Sequence, residues 1–431
     1  MFSRATASNY YQSKIINQKS SIENHQLKKI DYTQRNAAID ILRATTMLLM
    51  IFVNDLWRIS NVPAWLGHAG HGQDFLGLAD IVFPCFLFSV GMSIPFAIEN
   101  RFSRGKTEIS TLGHILSRTF ALLIIGVFLV NAEAGISASA GMSMPVYRTL
   151  MITAFFMIWN MYPITGKPAV RRMYTALKAA GFLILIYLAF IFRDPSGGVL
   201  SARWWGILGI IGWTYLLCAV IYLFARDRVK YLAAAWLAFM IVCILRANTI
   251  AGNALMNLPP KNFFDELLNV VHIDKGASAA FTAAGMLFSV VWMKYMHVSM
   301  KMKLICLSST AAILLIAAYL ANNIWIISKL GGTPTWVFYC LAIAAGLYGA
   351  IYWLIEKGKA SWFNIIKPAG TATLTCYLMP YVLYGLLYQF SDRIPESLTS
   401  GFPGILNCIA FAFLTIGVTY LLGKINIKLK I

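Results

Sequence analysis

Charge is scarce in this sequence, and acid is scarcer than base. Asp, Glu, Lys and Arg make up 12% of the 431 residues, about half the roughly 25% of soluble domains, which excludes an ordinary soluble enzyme. Polar stretches long enough to fold as a separate soluble domain are missing too. Cysteine never occurs as a CxxC pair: Cys85, Cys218, Cys243, Cys306, Cys340, Cys376 and Cys408 all fall inside apolar runs. Neither a disulfide framework nor a zinc site is expected from that pattern. Residues 1–30 carry charge with no apolar run behind it, unlike a cleaved signal peptide, and read as a cytoplasmic tail. No internal repeat of the kind that builds many secondary transporters is visible.

What is present is apolar: 59% hydrophobic residues, 12 Trp and a mean hydropathy of +0.67. A span of bilayer takes about 20 such residues. Windows of that length fall at 37–57, 75–98, 112–131, 146–164, 175–193, 203–225, 228–246, 277–296, 304–324, 334–355, 368–389 and 402–423. The expected fold is all-α, a polytopic membrane helix bundle of about 12 transmembrane helices (10–12). Residues 37–423 form its single transmembrane domain, between tails 1–36 and 424–431. Most of the basic residues sit in alternate connections, among them Arg101, Arg104, Lys106, Lys167, Arg171, Arg172, Lys301, Lys303, Lys357 and Lys359, together with both tails. The positive-inside rule then puts both termini in the cytoplasm. The net charge of +19 is thereby a matter of topology, and no nucleic-acid partner is expected. The longer, charge-poor connections 58–74, 132–145, 247–276 and 390–401 are expected on the exoplasmic face, with a surface helix around Pro259-Pro260 and Asn262–Glu266.

Polar chemistry concentrates near the start. Asp40 and Arg43 stand three residues apart on the first span and can pair on one helix face. That is either a structural ion pair or a site for an anion. Asn54 and Asp55 close the same span, where Asn54 either caps the helix or donates into a cavity. In the Gly-rich connection that follows, His68 and His71 precede Asp80 at the start of the second span. An intramembrane carboxylate is a functional candidate by default, and His with Asp can supply a general base. The HxxH spacing has no third nitrogen ligand nearby, so no metal is expected.

The strings Asp40-x-x-Arg43-Ala44, Phe52-Val53-Asn54, His68-Ala69 and Gly77-Leu78-Ala79-Asp80-Ile81-Val82-Phe83-Pro84 resemble the heparan-α-glucosaminide N-acetyltransferase family, and more closely its bacterial branch associated with amino-sugar use. Weaker matches follow at Arg118, Gly126 and Asn131, at Ile327-Ser328-Lys329 with Thr333 to Trp336, and at Gly370 to Leu374 with Tyr377. The resemblance implies transfer of acetyl from cytoplasmic acetyl-CoA to the amine of glucosamine, or of a glucosamine-containing saccharide, across a bacterial inner membrane. It also implies a catalytic loop histidine preceded by the Asn of Phe-Val-Asn, and a homodimer. One departure concerns the loop: the His-to-Asp interval is longer than the lysosomal enzyme's by two residues if His68 is matched and shorter by one if His71 is. His-Ala and the preceding Pro-x-Trp-Leu favour His68, with His71 as the alternative.

Such a transfer needs an amine held at a thioester carbonyl, a base, and a donor to the oxyanion. His68 is the candidate base, or else the carrier of an acyl-imidazole. Asn54 is the oxyanion or orienting partner, and Asp80 positions the loop. Asp40, Arg43 and Arg118 are the candidate acetyl-CoA contacts, and Asp55, Ser328, Lys329 and Thr335 the candidate sugar contacts. The rival reading is an amino-sugar transporter, in which Asp40, Arg43 and Asp80 line a permeation path.

Overall fold

The computed structural model describes residues 37–250, 275–387 and 395–431. The surface helix expected around Pro259–Glu266, the tail 1–36, and His25 and His272 all lie outside the described residues. Among the described residues there are thirteen α-helices and no strand. In chain order these are α1 Ala37–Asp55, α2 Leu78–Ser103, α3 Glu108–Ala134, α4 Met144–Trp159, α5 Pro168–Ile191, α6 Gly206–Ala225 and α7 Val229–Arg246. They continue as α8 Ala277–Tyr295, α9 Met300–Ala321, α10 Pro334–Glu356, α11 Phe363–Thr371, α12 Thr373–Leu387 and α13 Gly401–Lys424. Ten helices among the described residues are long and apolar enough to cross a membrane, and the protein is a polytopic membrane helix bundle. Eleven of the expected windows each correspond to one helix. The window 368–389 does not: it is two helices, α11 and α12, parted at Ala372, whose backbone leaves the helical region at φ −126° and ψ 45°.

The helix ends follow local chemistry. Thr107 and Ser299 cap α3 and α9 by accepting the N–H of Ser110 and Met302. Proline opens α4, α5 and α10 in the first turn, where its missing N–H is not needed. Inside the bundle α1, α2, α3 and α6 bury much of their length, whereas α5 and α9 turn Phe190, Ile186, Ile313 and Ile316 outward, as lipid-facing helices do. The tightest crossing joins α2 to α8. A Cβ on Gly91 would lie 1.9 Å from the Thr282 carbonyl oxygen, and one on Gly285 would lie 2.0 Å from that of Phe88. Small residues let helices meet this closely in a membrane. Gly285→Ala is accordingly expected to destabilise the bundle by ~3 kcal/mol, the upper end of ordinary overpacking. Thermal unfolding of the detergent-solubilised variant checks it, and an unchanged midpoint would show that the crossing yields.

The chain ends on the face where α1 begins. Residues after α13 fold back, with Met161 N–H bonded to Lys428 O at 2.9 Å and Lys430 N–H to Trp159 O at 2.9 Å. Leu429 N–H also reaches Thr375 Oγ1 at 2.9 Å. Lys430 therefore comes to the rim of the same cavity as Asp40.

Candidate active site

Beyond α1, two short 3-10 turns, Leu56–Arg58 and Ala64–Leu66, lead into the connection that carries the histidines. The connection is closed at its base. A Cβ on Gly77 would lie 2.0 Å from the Gly67 carbonyl oxygen, so glycine is required where the chain returns. Asp80 sits in the first turn of α2, and its carboxylate fastens this closure. Oδ2 accepts the N–H of Ala69 at 2.8 Å and of Gly77 at 3.4 Å. Oδ1 lies 2.7 Å from His68 Nδ1. The Asp80 side chain is 2% exposed and that of His68 54%, so a buried carboxylate orients an accessible imidazole. Burial of this charge is offset by these N–H donors and by the positive end of α2.

The contact decides the tautomer. A carboxylate oxygen can only accept, so Nδ1 carries the proton and the lone pair of the neutral ring lies on Nε2, pointing away from Asp80. Lys329, from the connection between α9 and α10, completes the group. Its Nζ lies 3.3 Å from His68 Nδ1, donates to Ala79 O at 3.3 Å and stands 3.9 Å from Asp80 Oδ1. Burial pushes the Lys329 ammonium below the usual lysine range, and the Asp80 carboxylate opposes that shift. Trp336 Nε1 donates to the Asp80 carbonyl at 3.0 Å. Asp74 ties the loop to the Lys329 connection, accepting Ile327 N–H at 2.7 Å and Asn322 Nδ2 at 3.3 Å. Asp74 did not stand out in the sequence, and Trp336 did so only as the end of the weak match from Thr333. His71 is exposed at the loop tip, and its ring has no partner among the described residues.

Other sequence candidates are placed differently. Asp55 is buried at 0% exposure, where Arg58 Nε and Tyr384 OH both reach Oδ1 at 2.7 Å. It anchors the end of α1 to α12, and no open face of its carboxylate is left for a sugar. Ser328 and Thr335 are buried as well. Ser328 Oγ accepts Gly331 N–H at 2.9 Å, and Thr335 Oγ1 donates to Trp325 O at 2.7 Å, so both shape the connection that presents Lys329. Asn54 is exposed, and its amide makes no hydrogen bond among the described residues. Asn131 binds the carbonyls of Val127 and Ser201 and accepts from Arg203 Nε at 3.0 Å, a structural tie at the end of α3.

Towards the opposite face lies a cavity of about 610 Å³, within the range of small-molecule sites, roughly 300–1,000 Å³. It gathers Asp40, Arg43 and Arg118 in one place, with Ser93, Tyr215 and Lys430, against apolar walls that include Met50 and Phe86. Arg43 pairs with Asp40 at 3.6 Å and donates to Ser93 Oγ at 2.7 Å and to Gly370 O at 3.3 Å. That last carbonyl is released by the break between α11 and α12. Arg118 stacks over the Tyr215 ring at 4.6 Å, and its buried Nε has no hydrogen-bond partner among the described residues. A half-buried guanidinium on the cavity wall, with its Nε uncommitted, is suited to contact an anion there.

A family profile described as a domain of unknown function (DUF5009) matches residues 35–269, more than half of the chain. The chain belongs to the DUF5009 family. Two curated relatives are similar over a shorter stretch. The mouse protein named heparan-alpha-glucosaminide N-acetyltransferase is 34% identical over 108 residues, 23% of this DUF5009 chain and 15% of its own length. The human protein of the same name is 34% identical over 101 residues, 22% of this chain and 14% of its own. The DUF5009 chain thus aligns with under a sixth of either relative.

Proposed function

We propose that the protein is a multi-pass inner-membrane acetyltransferase. It takes acetyl from acetyl-CoA bound in the cavity between Arg43, Arg118 and Lys430, and passes it to the amine of glucosamine or a glucosamine-containing saccharide at His68. Both termini and the cavity mouth face the cytoplasm in this reading, and His68 faces the periplasm. The observation that carries it is the His68–Asp80 contact, which leaves Nε2 available at an exposed rim. Asp80 and the cavity-lining Phe86 share α2, six residues or about 9 Å apart along the axis. A largely apolar cavity lined by Arg43, Arg118 and Lys430 suits a phosphorylated carrier with a long apolar arm.

Acetyl-CoA supplies an activated thioester. His68 Nε2 accepts the proton of the amine as its nitrogen attacks the carbonyl, and returns that proton to the sulfur as the C–S bond breaks. Asp80 keeps Nδ1 protonated and steadies the imidazolium between the two transfers. Asn54 is assigned the oxyanion, because its amide is exposed and uncommitted. Lys329 holds Asp80 and the loop and contributes positive potential there.

The test is transfer of radiolabelled acetyl from acetyl-CoA to glucosamine by purified protein. Labelled N-acetylglucosamine is expected. A folded protein that forms no product and binds no acetyl-CoA would sink the proposal and favour transport, which sugar uptake into proteoliposomes without acetyl-CoA would establish. Arg118→Met separates the cavity's role from the bundle's. Loss of a charge-assisted contact is expected to raise the KM for acetyl-CoA by about 10- to 100-fold. The unfolding midpoint should stay level or rise, because an unsatisfied buried N–H has been removed. A lowered midpoint with unchanged KM would make Arg118 structural.

A further inference from the structure

A second cavity lies on another side of the bundle and shares no lining residue with the first. It is a crevice of about 240 Å³ formed mainly by α7, α8, α9 and α10. Trp236, Phe288, Trp292, Leu307 and Leu314 line it, and Thr310 stands exposed on its α9 rim. Two features say what would fill it. The first is depth. Along α8 the lining runs from Ala284 to Trp292, with Met296 just past the helix end, eight residues or about 12 Å, close to the ~15 Å that is half of a bilayer's hydrocarbon thickness. It therefore starts near mid-bundle and ends at one membrane surface.

The second is charge. At that outer end Lys303 Nζ donates to Tyr352 OH at 2.8 Å and sits 5.9 Å from the centre of the Trp292 ring. Lys294 lies 3.6 Å from Asp227, and Lys301, Lys357 and Lys359 are exposed. Lysines outnumber the acids Asp227 and Glu356 there. Tyr352 stacks edge-on against Trp292 with ring centres 4.9 Å apart, placing amphipathic rings at the level of a headgroup. A symmetric second copy is a poor occupant, since a two-fold contact through this rim would set lysine against lysine.

We propose that the crevice holds an acyl chain of an anionic membrane phospholipid, with the headgroup phosphate bound by Lys303 and supported by Lys294 and Lys301. The lipid stands in the leaflet on the face where α1 begins, and its binding does not depend on acetyl transfer.

Cys306 lines the crevice and is the one cysteine of the chain that is not buried, so its alkylation by a maleimide reports occupancy. The full-length protein, delipidated in detergent, is titrated with phosphatidylglycerol or phosphatidylcholine of identical chains. Phosphatidylglycerol should protect Cys306 at clearly lower concentration. Lys303→Ala should raise the phosphatidylglycerol needed about fivefold, the worth of one lysine near an anionic surface, and shift phosphatidylcholine less, because its choline already balances the phosphate. Thr310→Phe, on the exposed rim, should weaken protection by both lipids. Equal protection by the two lipids, or no effect of Lys303→Ala, overturns the proposal. So does a Cys306 that is protected without lipid, or one that cross-links between copies with a bifunctional maleimide in the delipidated protein.

Discussion

His68→Ala lowers kcat for acetyl transfer by about 10²–10⁴-fold, the usual worth of a positioned general base, and leaves acetyl-CoA affinity near that of the parent. The two centres are separate in the structure: the imidazole stands at an exposed rim on Asp80, while Arg43 and Arg118 line the cavity towards the other face. Equilibrium binding of acetyl-CoA and single-turnover transfer, measured on the same preparation, separate the two effects. His71→Ala is the matched control and should transfer at the parent rate. Its ring has no partner among the described residues, and it stands at the loop tip away from Asp80. If His71→Ala is the inactive variant, the assignment of the base moves to the tip and the His68–Asp80 contact becomes a structural one.

Asp80→Asn has the second large effect. An amide of the same shape can still accept the Ala69 N–H through its oxygen, but its NH₂ group then faces His68 Nδ1, where the carboxylate oxygen stood at 2.7 Å. The imidazole answers by carrying its proton on Nε2, and the lone pair that takes the amine proton is gone. Transfer should fall by about 10²–10⁴-fold, although His68 is intact. Lys329 loses its counter-charge in the same variant, so some stability is lost as well. The two causes part in the pH profile and in rescue: Asp80→Glu, which restores an acceptor, should recover part of kcat. A variant as active as the parent would show that the tautomer does not matter, and with it that His68 is not the base.

The sequence carried the outline of this arrangement because its signals are local. Twenty-residue apolar windows report on a helix by themselves, and Asp40 with Arg43 pairs across one turn. His68 and Asp80 stood out as a histidine and an intramembrane acid joined by a Gly-rich connection. Contacts between distant parts of the chain left no such trace. Lys329 reaches His68 across 261 positions and Asp74 reaches Ile327 across 253, and no spacing rule links residues so far apart. Asp55 illustrates the opposite error. It was a candidate sugar contact, yet Arg58 and Tyr384 claim it, one a local partner and one that only the fold supplies. The parting of α11 from α12 was equally hidden, since Ala372 lies in an apolar stretch that hydropathy reads as continuous.

The glycine closure at the base of the histidine loop has a bearing on how such proteins diverge. Because Gly67 and Gly77 meet backbone to backbone, the chain between them behaves as a ring welded there and tethered at Asp74, with His68 beside the weld and His71 at the exposed tip. Residues added or removed around His71 and Gly72 change the circumference of the ring and leave the weld where it was. The number of positions separating the histidine from the acid is therefore a free parameter of the design. Chains that count differently from one to the other can still set the same imidazole on the same carboxylate.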